Sequence, residues 1–164
     1  MKSKPFTVLF VCTGNLCRSP IAEVILRDKL KKRGVSHIVV SSAGVAASRG
    51  VPAASMAQVA VAGHGLNLMT HRAQFLTMDL VKKADLILVM EQSHKKEIQD
   101  WFHLAKGKVQ LLKSYLKEDY VEEVEDPIGK SLDAFEYCYQ DLEKEIDRIL
   151  PDLVRIAETH KSPE

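Results

Sequence analysis

A chain of 164 residues with 46% hydrophobic positions holds enough apolar material for one sizeable core and too little for two. One domain over 1–164 is therefore expected. Its 23 basic and 22 acidic side chains leave a formal charge of +1, which excludes binding of nucleic acid or an anionic membrane by bulk charge. Apolar runs such as Leu86 to Met90 fall far short of the roughly 18–20 residues that cross a bilayer. The beginning of the chain shows no apolar segment with a small-residue cleavage site, so no signal peptide is expected. Three cysteines, an odd and scattered number, make a poor disulfide framework and fit a reducing, cytoplasmic setting in which a thiol is reactive or simply buried.

Strand and helix periods alternate along the chain. Phe6 to Val11, β-branched and aromatic, predicts a first strand buried on both faces. Pro20 suits a first helical turn, and a helix from about Pro20 to Arg33 places Ile21, Val24 and Ile25 in one stripe and Ala22, Leu26 and Leu30 in another, before Gly34 ends it. Val35 to Ser42 reads as the second strand. Pro52 then opens a helix carrying Met56, Val59 and Ala60, which Gly63 and Gly65 stop. A short helix over Thr77 to Lys83 precedes the buried strand Leu86 to Met90, and Ser93 caps a helix through Leu104. Lys108 to Leu112 is a fourth strand. Lys113 to Lys130, with its acidic run Glu122, Glu123, Glu125 and Asp126 before Pro127 and Gly129, is loop chemistry. A long last helix begins near Ser131, is kinked or interrupted at Pro151, and gives way to a polar tail over about 159–164. Such alternation predicts an α/β fold: a four-stranded parallel sheet with helices on both faces. Ligands of such sheets sit beyond the carboxyl ends of the strands, which directs attention to the loop after the first strand.

That loop is Cys12-Thr13-Gly14-Asn15-Leu16-Cys17-Arg18-Ser19-Pro20, a cysteine and an arginine five residues apart with a helix starting at once. Backbone N–H groups of Thr13, Gly14, Asn15, Leu16 and Cys17 can turn inward, the helix dipole adds partial positive charge, and Arg18 offers a planar fork for two oxygens. A tetrahedral oxyanion such as phosphate fits that cradle. The same donors, with Ser19, would favour a thiolate at Cys12. A thiolate facing phosphorus implies in-line attack to a phosphocysteine, and the leaving oxygen then needs a proton donor. Asp126, before Pro127 in an irregular segment, is a candidate among several neighbouring carboxylates.

The stretch Val8 to Glu23, with its Cys-Thr-Gly-Asn-Leu-Cys-Arg-Ser core, closely resembles the phosphate loop and first helix of the low-molecular-weight protein tyrosine phosphatases. Ser41-Ser42-Ala43-Gly44, His71-Arg72-Ala73, the strand Ala84 to Met90 and Asp126-Pro127 follow in that family's order. The resemblance implies a four-stranded parallel fold, Cys12 as nucleophile, Arg18 as phosphate and transition-state ligand, and Asp126 as general acid and then base. It further implies that Ser19 bonds the thiolate and that Asn15, Ser42 and His71 support the loop, while Cys17 either forms a reversible disulfide with Cys12, as such a cysteine can in the family, or packs as a small side chain under the loop. No cofactor is implied and no metal, the histidines showing no ligand spacing. The implied partners are phosphorylated proteins, and with no strong self-association signal in the sequence a monomer is expected. Cys138 on the last helix reads as an inert buried thiol, and Tyr115, Tyr120, Tyr137 and Tyr139 as packing or exposed residues.

The chain departs from the family where Asp126-Pro127 is followed by Ile128-Gly129 rather than aromatic residues, where Val45 to Pro52 lacks Trp and Tyr, and where Gln74 stands in place of a common arginine. Asp126 to Asp133 is similar instead to the bacterial branch that includes protein arginine phosphatases, yet that branch has Thr where this chain has Leu16. Leu16, within the reactive loop, offers apolar packing for a substrate ring and favours phosphotyrosine, with phosphoarginine as the alternative. A thiol-dependent arsenate reductase would need a further well-placed thiol beyond Cys17, and a noncatalytic phosphate-binding module would need neither Cys12 nor Asp126.

Overall fold

Four parallel strands set the frame of the computed structural model, which describes residues 4–160. They are β1 (Phe6–Cys12), β2 (Ile38–Gly44), β3 (Leu86–Val89) and β4 (Val109–Leu111), in the order β2-β1-β3-β4. The helices are α1 (Arg18–Lys32), α2 (Ser55–Ala62), α3 (Met78–Lys83), α4 (Gln92–Trp101) and α5 (Leu132–His160). Alternation along β1 divides two apolar layers. Val8, Phe10 and Cys12 pack with α1, α2 and α5, whereas Leu9 and Val11 pack with Val81 of α3 and Ile98 of α4. On α5 the buried residues Phe135, Cys138, Tyr139, Leu142, Ile146, Ile149, Leu150, Leu153 and Ala157 keep the helical period that covers the first layer. Among the described residues no helix is long and apolar enough to cross a membrane.

Several boundaries differ from expectation. α1 starts at Arg18, two residues before Pro20. Pro52 opens no helix, because Val51 and Gly50 bond Ala73 and leave Pro52 in an antiparallel bridge with Arg72. α4 is capped by Glu91 rather than Ser93 and ends at Trp101, since Phe102 is extended and Leu104 falls in a 3₁₀ turn. α5 runs unbroken through Pro151, whose missing N–H removes one intrahelical bond from a helix held on both sides by Ile149, Leu150 and Leu153. Thr159 and His160 end α5, and the rest of the expected tail lies outside the described residues.

The register fixes where chemistry gathers. Cys12 pairs with Gly44 across β1 and β2, and Val11 with Val89 across β1 and β3. The segments leaving β1, β2 and β3 therefore emerge side by side at one edge, and β1/β3 is where strand order reverses. Close approach is essential there: a Cβ on Gly44 would lie 2.5 Å from the Thr13 carbonyl oxygen and 2.9 Å from the Asn15 nitrogen. Gly44→Ala is expected to lower the unfolding free energy in urea by about 1–3 kcal/mol through overpacking. Gly63→Ala, where a Cβ would meet nothing nearer than 3.5 Å, should be close to neutral in the same measurement.

Candidate active site

Residues 13–17 form the loop between β1 and α1, and the first turn of α1 carries no acidic residue and no side-chain cap. Its free amides and the dipole behind them suit an anion. Asn15 takes the left-handed conformation, φ 56, which asparagine tolerates better than most residues. The fully buried side chain donates from Nδ2 to Ser19 Oγ at 2.8 Å and to Ser42 Oγ at 2.9 Å, and its Oδ1 accepts the Gln74 N–H at 3.0 Å. His71 Nε2 donates to the Asn15 carbonyl at 2.8 Å. Ser19 Oγ, accepting from Asn15, lies 2.9 Å from Cys12 Sγ and 3.4 Å from the Ala43 carbonyl. Asn15, Ser19, Ser42 and His71 thus share one network, and Gln74 joins it through a second bond, Nε2 to the Ser42 carbonyl at 2.8 Å.

Arg18, only 2% exposed, stands beside Cys12. Its Nη1 donates to the Val124 carbonyl at 2.9 Å and its Nη2 lies 3.4 Å from Asp126 Oδ2. Val124 N–H in turn bonds the Met90 carbonyl at the end of β3. The long loop before α5 is held farther back as well: Lys113 pairs with Asp141 and Glu122 at 2.9 Å each, and Arg148 donates to the Leu112 and Tyr115 carbonyls. Geometry also selects among the acidic residues. Glu122 is taken by Lys113, Glu123 by the Gln92 N–H and Glu125 by Lys130, whereas Asp126 reaches Arg18 and the mouth. A cavity of about 170 Å³ there is lined by Cys12, Thr13, Leu16, Arg18, Asp126 and Ile128 among others. Tyr137, exposed, borders a separate hollow with Asp126 and Lys130, and Tyr139 stacks on His64 at 3.8 Å.

Two residues at this edge escaped the sequence reading. Glu91 follows β3 and its Oε1 lies 3.2 Å from Arg18 Nη1. His94, buried on the first turn of α4, brings Nε2 to 2.9 Å from Thr13 Oγ1 and accepts the Glu91 N–H on Nδ1 at 3.2 Å. Burial, reinforced by the Arg18 charge, lowers its pKa to about 4, so the ring is neutral near pH 7. The signal that could have found both is position: they immediately follow the strand next to β1, at the reversal of strand order. All three cysteines are free thiols in the same apolar layer. Burial pushes Cys17 up to about 12, with Cys12 and Asp126 adding to the shift, and burial likewise pushes Cys138 up to about 12. Among the described residues no group of three or more His, Cys, Asp or Glu is arranged to hold a metal ion.

The family model described as low molecular weight phosphotyrosine protein phosphatase matches residues 7–160. The chain is 42% identical over 145 residues to a probable low molecular weight protein-tyrosine-phosphatase EpsP of Ralstonia nicotianae, covering 88% of this chain and 94% of that protein. It is 35% identical over 146 residues to the protein-arginine-phosphatase of Bacillus subtilis, covering 89% and 95%. A solved YwlE arginine phosphatase mutant with a phosphorylated active-site serine matches with a TM-score of 0.85 at 34% identity, covering 90% of this chain and 95% of that one. The loop of residues 13–17, the segment carrying Asp126 and the sheet that joins them all lie inside the matched span, and the chain belongs to the low molecular weight phosphotyrosine protein phosphatase family.

Proposed function

We propose that this chain is a metal-independent cysteine phosphatase of phosphorylated protein side chains, with phosphotyrosine as its preferred substrate. The observation that carries the chemistry is the convergence of Cys12 Sγ on Ser19 Oγ at 2.9 Å with a buried Arg18 that lies 3.4 Å from Asp126. In the first step the Cys12 sulfur attacks phosphorus in line, the bond from phosphorus to the leaving oxygen breaks, and the Asp126 carboxyl supplies that oxygen with a proton. Arg18 and the amides of Thr13, Gly14, Asn15, Leu16 and Cys17 hold the equatorial oxygens. In the second step Asp126 takes a proton from water as the water oxygen attacks the phosphocysteine, releasing orthophosphate and the Cys12 sulfur. Ser19, Ser42 and His71 act by holding the loop.

The preference for phosphotyrosine rests on Leu16, which lies in the reactive loop and offers apolar packing to a substrate ring at the mouth, and it holds against Ile128, which stands there in place of the family's aromatic residues. Phosphoarginine is the second reading, favoured by the resemblance of Asp126 to Asp133 to the branch that contains arginine phosphatases. The protein works as a cytoplasmic monomer on phosphorylated proteins, without nucleic acid or membrane. Cys17 is the redox partner of Cys12: hydrogen peroxide converts the Cys12 thiolate to a sulfenic acid, and the Cys17 sulfur displaces water from it to form the disulfide. The high pKa of Cys17 slows that closure.

Asp126→Asn is expected to lower kcat for a phosphotyrosine peptide by about 10²–10⁴-fold, with a smaller loss for a nitrophenyl ester whose leaving oxygen needs no proton. Paired kcat/KM values for matched phosphotyrosine and phosphoarginine peptides, measured with a chelator present, should favour tyrosine, and Leu16→Thr should move the ratio toward arginine. An arginine preference in the wild type would overturn the substrate assignment, and an unchanged ratio in Leu16→Thr would remove Leu16 as its cause.

A further inference from the structure

We infer that His94 is a positioning residue that turns the Thr13 hydroxyl into a fixed hydrogen-bond donor for a nonbridging oxygen of the substrate's phosphoryl group. The inference deepens the phosphatase reading and rests on it. Its first link is the backbone N–H of Glu91, 3.2 Å from His94 Nδ1. An amide can only donate, so Nδ1 keeps its lone pair and the neutral ring carries its proton on Nε2. Nε2 is 2.9 Å from Thr13 Oγ1, and with its lone pair used by that proton it cannot accept from threonine. Thr13 Oγ1 is therefore the acceptor. Its other neighbour, Arg18 Nη2 at 3.4 Å, is likewise only a donor.

Both lone pairs of Thr13 Oγ1 are thus engaged, and among the described residues its hydroxyl proton has no protein acceptor. Thr13 is exposed and lines the mouth beside Cys12 and Arg18. An oxyanion gripped by the Arg18 fork comes within reach of a hydroxyl that has only its proton to offer. Glu91 braces both donors, one carboxylate oxygen 3.2 Å from Arg18 Nη1 and the other 3.2 Å from His94 Nε2. The charged groups that face His94 are Arg18, Glu91 and Asp126, and burial together with Arg18 keeps the ring in the neutral form that this pattern needs.

The test is the inhibition constant of orthophosphate against a small aryl phosphate, with KM and kcat, on the full chain. Thr13→Val, which keeps the shape and removes the hydroxyl at an exposed position, should raise the phosphate inhibition constant and KM together by about tenfold, the worth of a hydrogen bond to a charged group, with kcat little changed. Thr13→Ser should stay near wild type. His94→Leu should reproduce Thr13→Val, His94→Gln should restore much of the loss by returning an N–H near the Nε2 position, and the double variant Thr13→Val/His94→Leu should be no weaker than either alone. An unchanged phosphate constant in Thr13→Val, or additive losses in the double variant, would overturn the inference, and if His94→Leu does not fold the Thr13 pair decides alone. A wild type without aryl phosphatase activity would instead sink the phosphatase reading, and orthophosphate binding followed by calorimetry would still judge Thr13.

Discussion

Asn15 is the constraint on which the site depends. A non-glycine residue at φ 56 is strained unless its surroundings hold it there. Here they do so completely: both amide donors, the side-chain oxygen and the backbone carbonyl each have a partner, drawn from α1, β2 and the segment around His71. Because these bonds satisfy the buried polar groups from behind, the loop amides in front remain free for an anion. The same bonds hold Ser19 Oγ within hydrogen-bond distance of the Cys12 sulfur.

A second tie links the two halves of the chemistry. Arg18 would be costly to bury without partners, and its partners are Glu91 from the end of β3, Asp126 and the Val124 carbonyl. One guanidinium therefore stands beside Cys12 and holds the segment carrying Asp126 against the loop after β1. That segment needs such anchoring because it lacks regular structure for most of its length. Lys113 and Arg148 tie it to α5, Val124 ties it to β3, and Asp126 is left at the mouth.

The strands and their parallel order were legible because β1 and β3 are apolar on both faces and α5 keeps its period for 29 residues. The loop chemistry was legible because Cys12, Arg18 and the helix start are adjacent in sequence. Several boundaries were not. Pro52 was captured by the distant Ala73 and Arg72, and α4 took a local cap from Glu91 and His94 in place of Ser93. Glu91 and His94 were invisible as site residues for a related reason: 73 positions separate Glu91 from Arg18, and only the adjacency of β1 and β3 brings them together. Asp126 was named from resemblance, while its distinction from Glu122, Glu123 and Glu125 lies in ion pairs and bonds that a local reading of charge cannot see.

The central claim is that phosphoryl transfer passes through the Cys12 sulfur. Rapid acid quench of the enzyme during turnover of a phosphotyrosine peptide, followed by mass analysis of the proteolytic fragment containing the phosphate loop, tests it most directly. The account predicts one phosphoryl group on Cys12 in the wild type, and loss of turnover in Cys12→Ser whether or not its serine slowly takes up a phosphoryl group. Full turnover by Cys12→Ser, or a phosphoryl group found on another residue, would contradict it.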